Sequence, residues 1–258
     1  MSEVILCQVP RAEQPFYAED IDLKLYSIEE LCYFMQGHPA LLDPDFFGPA
    51  MTDWLGGELR LHRLAETLEK QRAGGAGLAD LILPVFQEIG WLSPAEKNTW
   101  SEKIQEMEKL PGEVRLKQKG DVLAGYEKYT RAVSCYQKAL KLSEGAEHST
   151  GAQFRGTVYY NAGAVFARLF QMEEACECMK KAFDLLQTSA ARNGYLFCVR
   201  MKDGEEAFQR KCEELGVGEP DREEMERQIR SLPEPSVPED VDAALNLWVR
   251  EYHRQTDL

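Results

Sequence analysis

The chain has 258 residues, 44% of them hydrophobic, with 30 Lys/Arg against 44 Asp/Glu and a formal net charge of −14. That is long enough for one large or two ordinary domains and too apolar for disorder throughout. The charge is uneven: residues 1–112 carry 9 Lys/Arg against 19 Asp/Glu, residues 113–200 carry 13 against 9, and residues 201–258 carry 8 against 16. A net-positive middle between acidic flanks holds no long basic stripe for phosphates, which argues against nucleic acid and leaves an acidic peptide, or an acidic part of this same chain, as a match for the middle.

In chain order, Val4–Val9 is a short apolar run and Ile21–Leu25 alternates with period two, so a hairpin with residues 10–20 as its loop is expected. A lone hairpin is marginal in water and has to pack on helices. Ser27-Ile28-Glu29-Glu30 reads as a capping box opening a helix that stops near Gly37-His38-Pro39. Asp43-Pro44 is an N-cap with a first-turn proline, starting a segment through Phe46, Phe47, Met51, Trp54 and Leu55 that Pro49 kinks or shortens. After Gly56-Gly57 an amphipathic helix carries Leu61, Leu64, Ala65 and Leu68 on one face. Helices follow at 78–90 and 94–109, the second opened by Ser93-Pro94-Ala95-Glu96. They form a helical hairpin ended by Pro111-Gly112.

From residue 113 a spacing repeats. Gly120, Ala132 and Ala139 form one set and Gly163, Ala175 and Ala182 a second, 43 residues on. Leu116, Leu123 and Tyr136 correspond to Tyr159, Phe166 and Met179. Glycine inside a helix costs about 1 kcal/mol relative to alanine, so matched glycines mark close helix crossings. Residues 113–144 and 156–188 are the two units, with Gly145–Gln153 inserted between them. Residues 189–215 form a degenerate third, with Tyr195 where Gly is expected and Ala207 twelve later. Residues 219–231 are a charged helix. Pro233-Glu234-Pro235-Ser236-Val237-Pro238 is a stiff linker, and a last helix carries Val241, Ala244, Leu245, Trp248 and Tyr252 as a stripe that calls for burial. Docking of this helix on the repeats, as a cap or inside their groove, is expected.

Enzyme signatures are missing. The four histidines, His38, His62, His148 and His253, show no metal-ligand spacing, and HExxH, GxSxG, kinase and dinucleotide fingerprints are absent. Gly74-Gly75-Ala76-Gly77 follows no strand and precedes no Lys-Ser/Thr, so it reads as a loop. The seven cysteines, Cys7, Cys32, Cys135, Cys176, Cys178, Cys198 and Cys212, include no CxxC pair and fit free buried thiols in a reducing compartment. The N-terminus lacks the pattern of a signal peptide and no apolar run reaches the about 18 residues that a span requires. No enzyme activity, cofactor, metal or membrane contact is expected, and the protein is expected in the cytoplasm.

The doubled spacing resembles the tetratricopeptide repeat, a helix-turn-helix unit that stacks into a solenoid, over roughly residues 113–215. The resemblance implies a concave groove lined by the first helix of each repeat. Its lining is expected to be Lys117, Gln118 and Asp121, then Tyr160, Asn161, Ala164 and Arg168, then Arg192, Asn193 and Arg200. Cations, amides and a phenol in one groove suit an acidic or extended peptide. Lys117 and Asn161 match two positions of the carboxylate clamp by which some family members hold chaperone C-termini, whereas Asp121 stands where the clamp has a second Asn. The segment Tyr26–Tyr33 resembles bacterial proteins of undefined role.

The sequence thus predicts a mostly α protein: an acidic α/β region over 1–75, helical hairpins and a solenoid over 78–231, and a linker with a packing helix over 232–258. Non-catalytic protein binding, as adaptor or scaffold, is the expected function. Its alternatives are an N-terminal ligand-binding or catalytic domain targeted by the repeats, a structural homo-oligomer, and a groove that faces water or is filled by another part of the chain.

Overall fold

The computed structural model describes residues 9–145, 151–232 and 238–256. It is mostly helical and falls into two compact units, Met1–Phe208 and Gln209–Leu258.

The first unit opens with a two-stranded antiparallel sheet, β1 (Phe16–Ala18) and β2 (Leu23–Leu25), in register Phe16↔Leu25. The N-terminal region thus holds a hairpin, as expected, with Phe16–Ala18 as its first strand. The partner of 23–25 is a segment five residues upstream, and Val4–Gln8 lies outside the described residues. A short connection loses little entropy on closing. Here it is a 3-10 turn over Glu19–Ile21 ended by Asp22 in the left-handed region at φ 54, a conformation that Asp tolerates.

Helix α1 (Ile28–Gly37) starts as expected: the Ser27 hydroxyl accepts from the Glu30 amide. The Glu30 carboxylate reaches back to the amide of Tyr26, one residue earlier than a strict capping box has it. The segment from Asp43 is broken, as Pro49 suggested. A 3-10 turn covers Pro44–Phe47, capped by Asp43, and α2 (Pro49–Gly57) begins afresh with Pro49 in its first turn. Then come α3 (His62–Ala73), α4 (Leu78–Glu88) and α5 (Pro94–Lys109), the last with the full Ser93/Glu96 capping box.

The repeats follow as α6 (Gly112–Gly125) with α7 (Tyr129–Gly145), and α8 (Gly151–Arg168) with α9 (Met172–Leu186). Ala132, Ala139, Ala175 and Ala182 are fully buried. A Cβ on Gly120 would sit 2.7 Å from the Tyr136 ring, and one on Gly163 2.9 Å from Cγ of Met179, so both glycines are required by close approach. The helix-to-helix turns are copies. Glu127 and Phe170, 43 residues apart, both have φ 59. The amides of Tyr126, Glu127 and Lys128 bond the carbonyls of Val122, Ala124 and Leu123, and those of Leu169, Phe170 and Gln171 bond Val165, Ala167 and Phe166.

Helix α10 (Ser189–Asp203) packs on α9, and the tight crossing is at Gly194, where a Cβ would lie 2.9 Å from Sδ of Met179. The small residue of the third unit is thus one position before Tyr195, where the spacing had placed it.

One hydrophobic core runs from Ala12 in the N-terminal segment to Cys198 in α10. Ion pairs fasten the acidic N-terminal part to the basic first repeat: Lys119 with Asp20 at 2.7 Å and Asp43 at 3.5 Å, Lys128 with Asp22 at 2.5 Å, and Arg131 with Asp22 at 3.5 Å. Burial by itself would lower the Lys119 ammonium, but Asp20 and Asp43 outweigh it and hold its pKa above the usual lysine range. An acidic part of this chain therefore does meet the positive middle.

Helix α11 (Glu205–Glu214) leads to the second unit, which holds α12 (Glu219–Arg230) and α13 (Val241–Thr256). Cys212, Val217 and Met225 are buried, and the Arg222 guanidinium donates to the carbonyl of Val217 at 3.0 Å. On α13 the stripe marked for burial is about half exposed at Val241, Leu245 and Trp248 (54% for Trp248), and Leu247 and Val249 widen the apolar surface.

Candidate functional site

The expected groove residues separate into three places. At the first, α6 and α8 stand side by side and their polar positions converge on one carboxylate. Asp121 accepts from the Lys117 ammonium at 2.6 Å through Oδ2, and from the Tyr136 hydroxyl at 2.9 Å and Nδ2 of Asn161 at 2.8 Å through Oδ1. Lys117 and Asp121 are one helical turn apart on α6, the spacing at which opposite charges meet. Tyr136 belongs to α7 and its ring is buried against Gly120. Burial first, and the Asp121 charge and hydrogen bond after it, hold this phenol above the usual tyrosine range, so it remains a donor.

Arg168, on the last turn of α8, lines the same cleft. About 410 Å³ in volume, it is bounded by Asp121, Ala124, Glu127, Tyr129, Asn161 and Arg168 among others. The guanidinium donates to the Tyr129 hydroxyl at 3.0 Å and lies 5.8 Å from that ring's centre. No carboxylate pairs with it among the described residues. Its five donors form a fixed fork, most of which remains for a ligand.

The second place is the mouth between α6 and α5, where Gln118 lines a cleft with Met107 and Ala40 that Asp121 also borders, without being one of the partners that bond the Asp121 carboxylate. The third is α10. There the Arg192 guanidinium donates to Oδ1 of Asn193, Tyr160 borders Gly194, and Arg200 pairs with Glu205 at 2.7 Å while stacking over Phe208 at 5.2 Å. The four cations are thus not one line of free charge. Lys117 is neutralised by Asp121 and Arg200 by Glu205. Lys117 and Asn161, the two positions that match the carboxylate clamp, both bond the Asp121 carboxylate.

Two members of the site escaped the sequence reading. Tyr136 stands at the apolar position that matches Met179, and nothing in the spacing of apolar residues shows where a phenol's hydroxyl ends. Tyr129 opens α7, and its aromatic ring followed by a cation 39 residues on is the trace of the Arg168 contact.

Residues 156–185 match the family model of the tetratricopeptide repeat. That span covers most of α8 and α9, the second of the two copied units. Such a repeat is in general a protein–protein interaction module, in a family that is generally non-catalytic. No curated protein and no solved structure matches the chain. Among the described residues no helix is long and apolar enough to cross a membrane, and no group of three or more His, Cys, Asp or Glu residues is placed to hold a metal ion.

Proposed function

We propose that the protein is a non-catalytic adaptor of the cytoplasm that holds an extended, acidic peptide of a partner protein in the cleft between its first two repeats. The single observation behind this reading is the state of Arg168. It opens into a cleft beside Asn161 and Tyr129 with donors to spare, while the neighbouring Lys117 and Asp121 are already paired with one another. A carboxylate of the peptide would take the guanidinium fork, and exposed amide and hydroxyl groups would take backbone donors and acceptors. Arg192 and Asn193 are proposed to extend the same path along α10.

The test is selection of peptides from a random library on the full chain, followed by fluorescence anisotropy of the selected sequences. Peptides enriched in Asp and Glu are expected, with affinity that falls as salt rises and falls at least tenfold in Arg168→Glu at an unchanged melting temperature. Selected peptides that bind Arg168→Glu as well as the wild type would place the binding surface elsewhere.

A further inference from the structure

Three cysteines gather where α9 meets α10: Cys176 and Cys178 on the first helix and Cys198 on the second. The helices are antiparallel neighbours joined by Gln187 and Thr188, and their register is fixed by Met179, whose sulfur lies against Gly194. Three residues back from Met179 is Cys176, and four residues on from Gly194 is Cys198. In antiparallel helices those steps run the same way, so the two thiols face each other one turn along from the tight crossing. Each thiol acts electrostatically on the other, as neighbours do. Cys198 is buried and Cys176 only half-buried, so one member of the pair can be reached from solvent.

We propose that Cys176 and Cys198 form a modification site, a dithiol that small hydroperoxides oxidise to a disulfide joining α9 to α10. Cys176 reacts first, being the more exposed. Its sulfur attacks one peroxide oxygen, the O–O bond breaks, the released hydroxide takes the thiol proton, and a sulfenic acid and one water result. The Cys198 sulfur then attacks the Cys176 sulfur, the S–O bond breaks, and the departing hydroxide leaves as water with the Cys198 proton. Two thiols have given up two electrons and one hydroperoxide has been reduced.

The surroundings set the rate. Burial pushes the Cys198 thiol up to about 12 and raises Cys176 as well, with Lys202 and Cys198 working the other way on Cys176. The thiolate fraction is small, so oxidation is slow compared with that of a low-pKa sensor thiol. What singles the pair out is the ready second thiol, which intercepts the sulfenic acid before further oxidation. Burial raises the Cys178 thiol to about 11.

The experiment is treatment of the full chain with hydrogen peroxide, alkylation of the remaining thiols, and mass mapping after cleavage at Glu and at Lys, which separates Cys176 from Cys178 at Glu177 and Cys178 from Cys198 at Lys180 and Lys181. The expected product is a Cys176–Cys198 linked peptide lighter by two hydrogens, formed equally in Cys178→Ser and reversed by dithiothreitol. In Cys198→Ala the link is lost and Cys176 accumulates as a sulfenic acid trapped by dimedone. If Cys176 and Cys198 are both recovered alkylated while other thiols oxidise, or if Cys176 is found as sulfinic acid or linked elsewhere in the wild type, the proposal is overturned. The wild-type map decides even where Cys198→Ala does not fold.

Discussion

Nδ2 of Asn161 donates to Oδ1 of Asp121 at 2.8 Å, a bond between side chains 40 positions apart that ties the first helix of one repeat to the first helix of the next. Because the same carboxylate also takes Tyr136 and Lys117, it works as a bolt between α6, α7 and α8. Replacing Asp121 by Ala leaves the buried Tyr136 hydroxyl and the Asn161 amide without their acceptor, which costs about 1–3 kcal/mol. Asn161→Ala costs less, and the two changes together cost less than their sum, with a coupling of at least about 0.5 kcal/mol. Lys117→Ala costs about 0–1 kcal/mol, since that pair is partly solvated. Urea unfolding of the four variants measures this, and strictly additive losses would show that the bolt does not act as a unit.

Much of the scaffold was legible because each repeat must bring small residues together at its crossings. Gly120, Ala132 and Ala139 and their counterparts are all at close contacts, and a 43-residue offset carried over even to the left-handed residues Glu127 and Phe170. The polar site was legible only in part. Counting from Gly163 finds Asn161 and Arg168 on α8, but it does not show that Asp121 neutralises Lys117, since the sequence holds the pair and not its rotamers. The third unit failed by one residue because Met179, a flexible side chain, accommodates a tight neighbour at 194 where rigid packing would have kept the spacing. The hairpin was legible through its second strand, whose alternation over 21–25 shows in the residues, whereas its first strand, Phe16–Ala18, is three residues long and too short to show a period.

Phe170 combines two unfavourable features: φ of 59, where a bulky side chain is strained, and 81% exposure, so that its ring gains nothing from packing. Left-handed backbone at a non-glycine residue costs about 1–3 kcal/mol, against about 0.5–1 kcal/mol for the added chain freedom of glycine. Phe170→Gly is therefore expected to melt at or above the wild-type temperature, whereas Phe170→Val, with a branched Cβ in the same conformation, is expected to melt lower. A marked drop in Phe170→Gly would mean that the ring has a structural role that its exposure hides.

At the crossings the sign reverses. Ala132 and Ala175 are fully buried, and Ala132→Leu or Ala175→Leu forces side chains into filled space at about 1–3 kcal/mol each. Gly163→Ala belongs with them, since its Cβ would meet Cγ of Met179 at 2.9 Å, the backbone nitrogen of Met179 at 3.2 Å and the carbonyl of Ala175 at 3.3 Å, two of which cannot move aside. Thermal melts of the three variants are expected to fall below the wild type, and an unchanged melt in Gly163→Ala would show that α8 and α9 shift apart without penalty.

The contact between the N-terminal segment and the first repeat is expected to fail in acid before the repeats do. Asp22 pairs with Lys128 and Arg131 and accepts from the Tyr17 hydroxyl at 2.7 Å. Hydrogen bonds from Lys128 and then Tyr17 hold its carboxyl below the usual aspartate value of 3.8, while burial opposes them weakly. A carboxyl depressed in the folded state contributes stability that is fully present above its unfolded pKa and is lost as the pH falls through the folded one. The window thus opens just below pH 4 and extends downward. The Tyr17 phenol moves the opposite way, raised first by its bond to Asp22, and stays protonated throughout that window. In Asp22→Asn the pairing with Lys128 is gone at every pH, so the variant should start less stable at neutral pH and lose less than the wild type on acidification. Melting temperatures of both proteins across this window, at low salt to limit screening of a partly exposed pair, give the comparison. Curves that stay parallel down to the acid limit would show that Asp22 contributes nothing that depends on its charge, and that the segment is held by its apolar side chains alone.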